Sequence, residues 1–243
     1  MALFTDGPIS SIEDLQGHDS QILEVASVEH IDVTKKLELA QEEVSIELGS
    51  LLQKAGIEGG IERVVVTPPL KLWQTFRALE MVYRDAYHSQ LNDRYAGRRD
   101  EYHEMASWAR GKTMQSGVGM AADPVSKASI PILRAVSGEL ADSTYYAGMT
   151  WVNSAGEEGA GSDAAKISTA GSSFEVRHGD PPANAAGWNV YVGYSPDLLW
   201  RQNGPALAVG EAWMENSVSI GLASGGGQKP TYTQPIARLL ERG

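Results

Sequence analysis

The chain of 243 residues contains no cysteine. This absence excludes a disulfide scaffold, a cysteine-ligated zinc or iron–sulfur site and a thiol nucleophile. No apolar run approaches the 18 residues that a membrane-spanning helix needs, so we expect no membrane span. The first eight residues have neither the basic nor the apolar stretch of a signal peptide. What is present, 42% hydrophobic residues, is enough for a protein that folds around an apolar core.

Histidine is also scarce, and none of the five forms the H-x-x-x-H or H-x-x-E-H spacing of a metal site. The five are His18, His30, His88, His103 and His178. His103 stands between Tyr102 and Glu104, and adjacent residues point to different sides of a helix. We therefore expect no metal site and no cofactor.

The sequence patterns that carry catalysis are missing. Residues 111–113 (GKT) end like a phosphate-binding loop, but that motif needs a glycine where the chain has Ala106. The chain has no G-x-S-x-G elbow for a serine nucleophile. Adjacent carboxylates such as Glu42 and Glu43 belong on a helix surface, whereas general acid–base catalysis needs two carboxyls across a cleft. The sequence therefore predicts no catalytic residue and no enzymatic activity.

Basic residues are outnumbered, with 20 Lys and Arg against 31 Asp and Glu, and the formal net charge is −11. Residues 1–66 carry −9 of this charge, residues 67–115 carry +2 and residues 116–243 carry −4. Proteins that grip DNA usually have a basic face. An acidic surface suits a channel through which DNA slides, because phosphate contacts are what hold DNA.

The spacing of apolar residues divides the chain into two halves. Before residue 116 these residues recur every three or four positions, which predicts helices, and after it they alternate, which predicts strands. The expected fold class is α+β, an N-terminal helical bundle with a long helix followed by a small antiparallel β-sandwich. The expected segments are a helical domain 1–116, a linker 117–128, a β-sandwich 129–223, and a flexible hinge with a C-terminal tail 224–243.

The first two helices have clear start signals. Ser10 and Glu13 predict a capping box. Asp32 predicts the N-cap of a second helix, which Gly56 ends. The buried stripe expected on this second helix is Leu37, Ala40, Val44, Leu48, Leu51 and Ala55.

A third helix opens at residues 67–69 (TPP), where proline suits the first turn. The apolar residues of this helix keep the same helical spacing so far along the chain that two alternatives remain for where the helix ends. One helix spans about 69–111, or the helix breaks near Asn92 and Asp93 or at Gly97.

Short strands at intervals of about ten residues predict the sandwich. Two alternating sets are the clearest: Tyr145, Ala147, Met149 and Trp151, and then Trp188, Val190, Val192 and Tyr194. A turn is expected at 153–156 and shorter strands at 165–168 and 174–176.

One patch combines basic and aromatic residues: Arg94, Tyr95, Arg98, Arg99 and Tyr102. The patch has three interpretations. It touches phosphates or an acidic partner helix, its arginines pair with acids of the same helix, or it contacts the acidic residues of 13–47 in another subunit. We favour pairing within the helix.

Three segments of the first half resemble the helical core of the head–tail connector (adaptor) proteins of tailed bacteriophages. They are residues 10–15 (SSIEDL), 31–43 (IDVTKKLELAQEE) and 72–79 (LWQTFRAL). In the second half, residues 145–159 and 185–193 resemble the late strand and the early central strand of a fibronectin type III or immunoglobulin-like module. Here the late-type segment comes first, which departs from the usual order.

The connector resemblance implies a structural virion protein at the head–tail junction, assembled in the host cytoplasm. It implies a homo-oligomeric ring of twelve copies that extends the DNA channel between the portal and the tail or next neck protein, without specific DNA binding. It also implies a docking arm on the portal, for which the candidates are Arg238, Leu239, Leu240 and Arg242. The candidates for helix contacts between subunits are Phe76, Tyr83, Tyr87, Arg94, Arg98 and Arg99.

A second hypothesis is a phage tail or head-decorating protein whose β-sandwich is a binding or adhesion module. Exposed aromatic residues among Tyr194, Trp200 and Trp213 would be its anchors, because interface hot spots favour such residues.

Overall fold

The computed structural model describes residues 2–57, 60–90, 93–214, 217–223 and 226–236. The helices are α1 Ile12–His18, α2 Ile22–Val28, α3 Val33–Lys54, α4 Pro68–Gln90 and α5 Ala96–Ser116, with short 3-10 helices at Ile61–Arg63 and Asp93–Tyr95. The strands are β1 Val118–Met120, β2 Ile132–Val136, β3 Ser143–Asn153, β4 Ala165–Thr169, β5 Ser173–Arg177, β6 Ala185–Ser195, β7 Leu198–Arg201, β8 Leu207–Ala208, β9 Trp213–Met214 and β10 Tyr232–Gln234. The predicted α+β class, helices first and then a small antiparallel sandwich, is confirmed.

The chain divides into two compact units. The sandwich unit contains Met1–Asp6 and Ala121–Lys229, and the helical unit contains Gly7–Met120 and Pro230–Gly243. The first six residues therefore belong with the sandwich, where the Asp6 carboxylate accepts hydrogen bonds from the backbone N–H groups of Leu3 and Lys127 at 2.8 and 2.7 Å. The predicted segments instead placed the first six residues in the helical domain and residues 224–243 in a separate hinge and tail.

The segment expected to be a flexible hinge and tail makes several hydrogen bonds to the rest of the chain within its described residues 226–236. Gln228 is buried, its Oε1 accepts from the N–H of Val125 at 2.9 Å, and its Nε2 donates to Glu157 at 2.8 Å. Further on, β10 pairs antiparallel with β1, which lies in the predicted linker. Residues 226–229 are thus part of the sandwich unit, and residues 230–236 are part of the helical unit.

The centre of the helical unit is α4. Every residue from 70 to 86 is buried or half-buried, and each of the other helices packs against α4. Apolar side chains such as Leu70, Phe76 and Val82 therefore pack against the surrounding helices, while the side chains of Lys71 and Asp85 stay 41% and 39% exposed.

The helix ends differ in detail from their prediction. The capping box lies one residue later, with Ser11 and Asp14 exchanging hydrogen bonds, while the Ser10 hydroxyl is buried 2.7 Å from that of Thr75. Asp32 caps α3 as predicted, accepting from the N–H of Lys35. The helix α2 was not predicted, because seven residues are too few to show a period.

The predicted stripe on α3 is buried as far as Leu48 and departs from the prediction at the end of the helix. Leu52 is buried, whereas Leu51 is half-buried and Ala55, which follows the last helical residue, is exposed. Gly56, at φ 70°, ends the helix as predicted, and the next N–H reaches back to the carbonyl of Leu52 at 3.2 Å.

Of the two alternatives for the third helix, the break between residues 90 and 95 is the one that forms. A 3-10 helix at Asp93–Tyr95 precedes α5, and α4 and α5 then pack against each other. The rings of Phe76 and Tyr102 stack with 6.5 Å between their centroids, and those of Tyr83 and Tyr102 with 5.6 Å. Folding back lets these rings bury one another, which a single long helix of this chain would not allow.

The sandwich consists of two sheets, with strand orders β2-β5-β9 and β4-β3-β6-β7, and β8 pairs with β6. The long strands β3 and β6 pair antiparallel, with Trp151 opposite Trp188. Side chains of the two alternating sets fill the space between the sheets, except that Tyr194 is exposed at the edge. The Tyr145 hydroxyl donates to the carbonyl of Ala141 at 2.8 Å, a corner typical of immunoglobulin-like sandwiches.

A glycine substitution tests the close pairing of β6 and β8. A Cβ atom on Gly187 would lie 2.6 Å from the backbone oxygen of Leu207, so Gly187→Ala forces the two strands apart. We expect the free energy of unfolding to fall by roughly 1–3 kcal/mol, measured by urea denaturation. Gly204→Ala, which meets no atom within 4 Å, is the matched control and should stay within about 0.5 kcal/mol of the parent. Equal losses in the two variants would contradict this account.

Candidate assembly surface of the helical unit

Two of the residues predicted to contact another subunit belong to the core of their own unit. Phe76 and Tyr83 are 3% and 2% exposed, and both rings pack on Tyr102 of α5. Such side chains have no surface to offer a second copy in this structure. The helical spacing of these two residues indicated correctly that they are buried. It could not indicate whether the helix that covers them, here α5, belongs to the same chain.

The other predicted contact residues lie at the surface beside the start of α5. The Arg99 guanidinium lies 4.6 Å from the centre of the Tyr87 ring and pairs with Asp100 at 2.7 Å. Arg98 pairs with Glu101 at 3.0 Å, and Arg94 lies over the ring of Tyr95. Pairing between neighbours on the helix, the favoured interpretation, is therefore what the structure contains for Arg98 and Arg99.

The candidate docking arm, Arg238, Leu239, Leu240 and Arg242, lies outside the described residues. The docking role of these four residues stays a prediction.

A buried carboxylate joins three helices of the unit. Asp19, at the end of α1, accepts hydrogen bonds from the hydroxyls of Tyr83 and Tyr102 at 2.5 and 3.1 Å. Burial, followed by the neighbouring Asp19 carboxylate, raises the pKa of both tyrosines. Sequence analysis did not find this cluster, because its members are 64 and 83 residues apart and no local pattern links them.

An open groove runs between α3 and α5, with α4 as its floor. Its volume is about 380 Å³. Trp73, Arg77 and Glu80 form the floor, and Ile46 and Ser107 stand at opposite sides. The groove exists because α3 and α5 both pack on α4 and leave a space between each other.

Ion pairs line this groove and neutralise its charges within the subunit. Arg77 bridges Glu43 of α3 and Glu80 of its own helix, at 2.7 and 2.6 Å. Glu80 also lies 3.1 Å from the ring nitrogen of His103, and Arg110 pairs with Glu47 across the groove. The α3 side of the groove is thus acidic and the α5 side basic, which fixes the two helices relative to each other.

Large apolar side chains protrude from the helical unit at separate places. Val28 of α2, Ile46 of α3 and Trp108 of α5 are 60%, 74% and 55% exposed. Single exposed apolar residues are ordinary, but a tryptophan and an isoleucine that are more than half exposed are candidates for contacts with another protein.

The three aromatic residues of the second hypothesis differ in how far they are buried. Trp213 is buried in the core, Trp200 is half-buried, and Tyr194 is exposed with its ring 5.3 Å from that of Tyr145. Only Tyr194 of these three therefore offers most of its ring to a partner.

The outer face of the β2-β5-β9 sheet carries both apolar and charged residues. Ile132 of β2 and Met214 of β9 are more than half exposed, and Arg134 and Glu175 stand opposite each other between them. No other strand of the unit covers this face within the described residues.

In the part of the chain that the structure describes, no three histidine or carboxylate side chains lie together as a metal site, and His103 lies beside Glu80. No helix among the described residues has the length and apolarity to cross a membrane. Comparisons with family models, with curated proteins and with solved structures found no match to this chain.

Replacing Asp19 tests the carboxylate cluster. In Asp19→Ala, two buried hydroxyls lose their acceptor, and we expect the free energy of unfolding to fall by roughly 1–3 kcal/mol for each of them. Asp100→Ala, which removes an exposed ion pair, is the control and should cost less than about 1 kcal/mol. The same Asp19 substitution in a Tyr83→Phe, Tyr102→Phe background should cost much less. An undiminished loss there would contradict the cluster.

The raised pKa values of Tyr83 and Tyr102 predict alkaline destabilisation. Unfolded chains release phenol protons near the ordinary pKa of about 10, whereas the folded protein keeps them to higher pH. The stabilisation is therefore complete below pH 10 and falls above it, by up to about 1.4 kcal/mol per pH unit for each tyrosine. Urea denaturation from pH 9 to 11 should give a shallower decline for Tyr102→Phe than for the parent. Identical slopes would refute the assignment.

Proposed function

We propose that this chain is a structural virion protein, a ring-forming adaptor between the portal and the tail of a tailed bacteriophage that extends the DNA channel. The observation that carries the proposal is the set of protruding apolar side chains on the helical unit, Val28, Ile46 and Trp108. They lie on three different helices, and in this proposal they contact further copies of the chain. Contacts between unlike patches join copies head to tail, and such contacts close into rings when the rotation allows.

The charge of the helical unit supports the same proposal. Glu38, which pairs with Lys35, and Glu42 stand exposed on α3, and within this unit residues 7–66 carry a net charge of −8 and residues 67–115 one of +2. A wall of this sign repels phosphate, so DNA passes through the channel without specific binding. The resemblance of residues 10–15, 31–43 and 72–79 to connector proteins is the second support.

The proposed partners are further copies of the chain, the portal protein, and the tail or next neck protein. Twelve copies and a location at the head–tail junction follow from the resemblance. The C-terminal residues Arg238, Leu239, Leu240 and Arg242 are proposed to dock on the portal.

Electron microscopy of the purified protein, alone and mixed with portal, tests the proposal. We expect closed rings, and a mass in native mass spectrometry that is an integral multiple of 26.1 kDa. A chain that stays monomeric at high concentration and does not bind portal would overturn the proposal.

A second candidate function is a phage tail or head-decorating protein that binds through its sandwich. The outer face of the β2-β5-β9 sheet, with Ile132 and Met214 exposed, is the observation that favours it. Locating the subunit in images of whole particles discriminates between the two, because a decorating protein lies on the shell or along the tail.

A further inference from the structure

We propose that His178 is a pH-sensitive latch of the sandwich unit: its neutral ring holds the turn 208–211, and protonation of the ring releases that turn. The turn leads from β8, which pairs with β6, to β9, which pairs with β5. It therefore connects the two sheets of the sandwich. This inference goes beyond the proposed function and does not depend on the proposed ring.

Both ring nitrogens of His178 are hydrogen-bonded, and their partners fix the position of the ring proton. Nδ1 lies 2.6 Å from the carbonyl oxygen of Gly179, which can only accept, so Nδ1 carries a proton and donates it. Nε2 accepts from the backbone N–H of Gly210 at 2.8 Å, so Nε2 carries no proton. The two bonds together require the neutral ring with its proton on Nδ1.

Protonation of the ring breaks the bond to Gly210. An imidazolium ring has an N–H at both nitrogens, so Nε2 no longer accepts and would face the N–H of Gly210 with a second donor. The bond from Nδ1 to Gly179 persists, because a carbonyl accepts from either form of the ring. Gly210 is exposed, so its N–H finds water as soon as the turn moves outward. The bond that is lost is therefore the one that holds the turn.

The sandwich core, and not the turn, keeps the ring of His178 in place. His178 follows β5 directly, and its ring packs edge to face with the rings of Trp151 and Trp188, at 5.0 and 5.6 Å between centroids. Both tryptophans are buried in the core. Because these contacts come from β3, β5 and β6, the ring has the same support whether or not the turn is bound to it.

The turn has hydrogen bonds of its own that do not involve His178. The N–H of Glu211 donates to the carbonyl of Ala208 at 3.0 Å, and the N–H of Ala208 donates to the Glu211 carboxylate at 3.1 Å. Gly210 has a φ of 91°, a conformation that favours glycine. The turn therefore keeps its shape and moves as one piece when its bond to His178 is lost.

The charged groups around His178 do not change their charge over the same pH range. On its own segment, Arg177 pairs with Glu175, and Asp180 is exposed. The turn contributes Glu211, and β3 and β6 contribute tryptophan rings, which do not titrate. Carboxylates and guanidinium groups ordinarily keep their charge between pH 5 and 8, whereas free histidine is half protonated near pH 6.5. A change over this range therefore reports on the histidine.

Amide hydrogen exchange of the full chain tests the latch. It is read residue by residue by NMR at pH 7.5 and pH 5 and corrected for the intrinsic exchange rates. We expect the protection of the Gly210 amide to fall roughly fivefold to tenfold at pH 5, which is the effect of losing one hydrogen bond. The matched control is the exposed amide of Ser219, which donates to the side-chain oxygen of Gln202 at 2.8 Å, and its protection should stay the same.

Two variants assign the effect to His178. In His178→Gln, an uncharged acceptor that cannot be protonated replaces Nε2, so the protection of Gly210 should be equal at the two pH values. His88→Gln removes an exposed histidine of the helical unit and should keep the pH dependence of the parent. A His178→Gln protein with the pH dependence of the parent would overturn the proposal.

The position of the ring proton decides the matter in the parent, even where the variant does not fold. Nitrogen NMR of the His178 ring at pH 7.5 should find the proton on Nδ1 and none on Nε2. A proton on Nε2, or equal protection of the parent's Gly210 at the two pH values, overturns the inference. Neither result bears on the ring, since rings that form without the latch leave the proposed function standing. A monomeric chain with a working latch loses only the proposed function.

Discussion

The helical unit depends on the burial of α4. A helix whose residues 70–86 are all buried or half-buried requires other helices around it, so the positions of α1, α2, α3 and α5 follow from where they cover α4. Most apolar surface of the unit is used in this way. What remains uncovered is the outside of the covering helices and the groove between α3 and α5.

Charge placement follows from the same arrangement. Around the groove, Arg77 and Arg110 meet carboxylates from other turns and helices, and these ion pairs hold α3 and α5 at a fixed separation. On the outer side of α3, Glu38 and Glu42 face solvent. Ion pairs therefore neutralise charge where the helices meet, while the outer side of α3 carries Glu42 and the pair of Glu38 with Lys35.

Sequence patterns predicted the parts of the fold that depend on local physics. Asp32 and Gly56 bound α3 because capping and a positive φ are properties of single residues. The alternation that ends in Trp151 placed that residue in the sandwich core, because strand side chains alternate between two faces. Leu51 is half-buried where burial was predicted, because burial at the end of a helix depends on what packs there, and α2 was missed because seven residues are too few to show a period.

The amino-acid sequence by itself determined the division into helices and strands, the acidic character and the caps, because each of these is set by residues within a few positions of one another. Only the tertiary structure decided that the chain folds back between α4 and α5, since the packing of Phe76 on Tyr102 links distant residues. It also decided that Asp19 is a shared acceptor, that β10 pairs with β1, and that a groove opens beside Ile46. These features arise from contacts between segments far apart in the chain, and no local pattern encodes them.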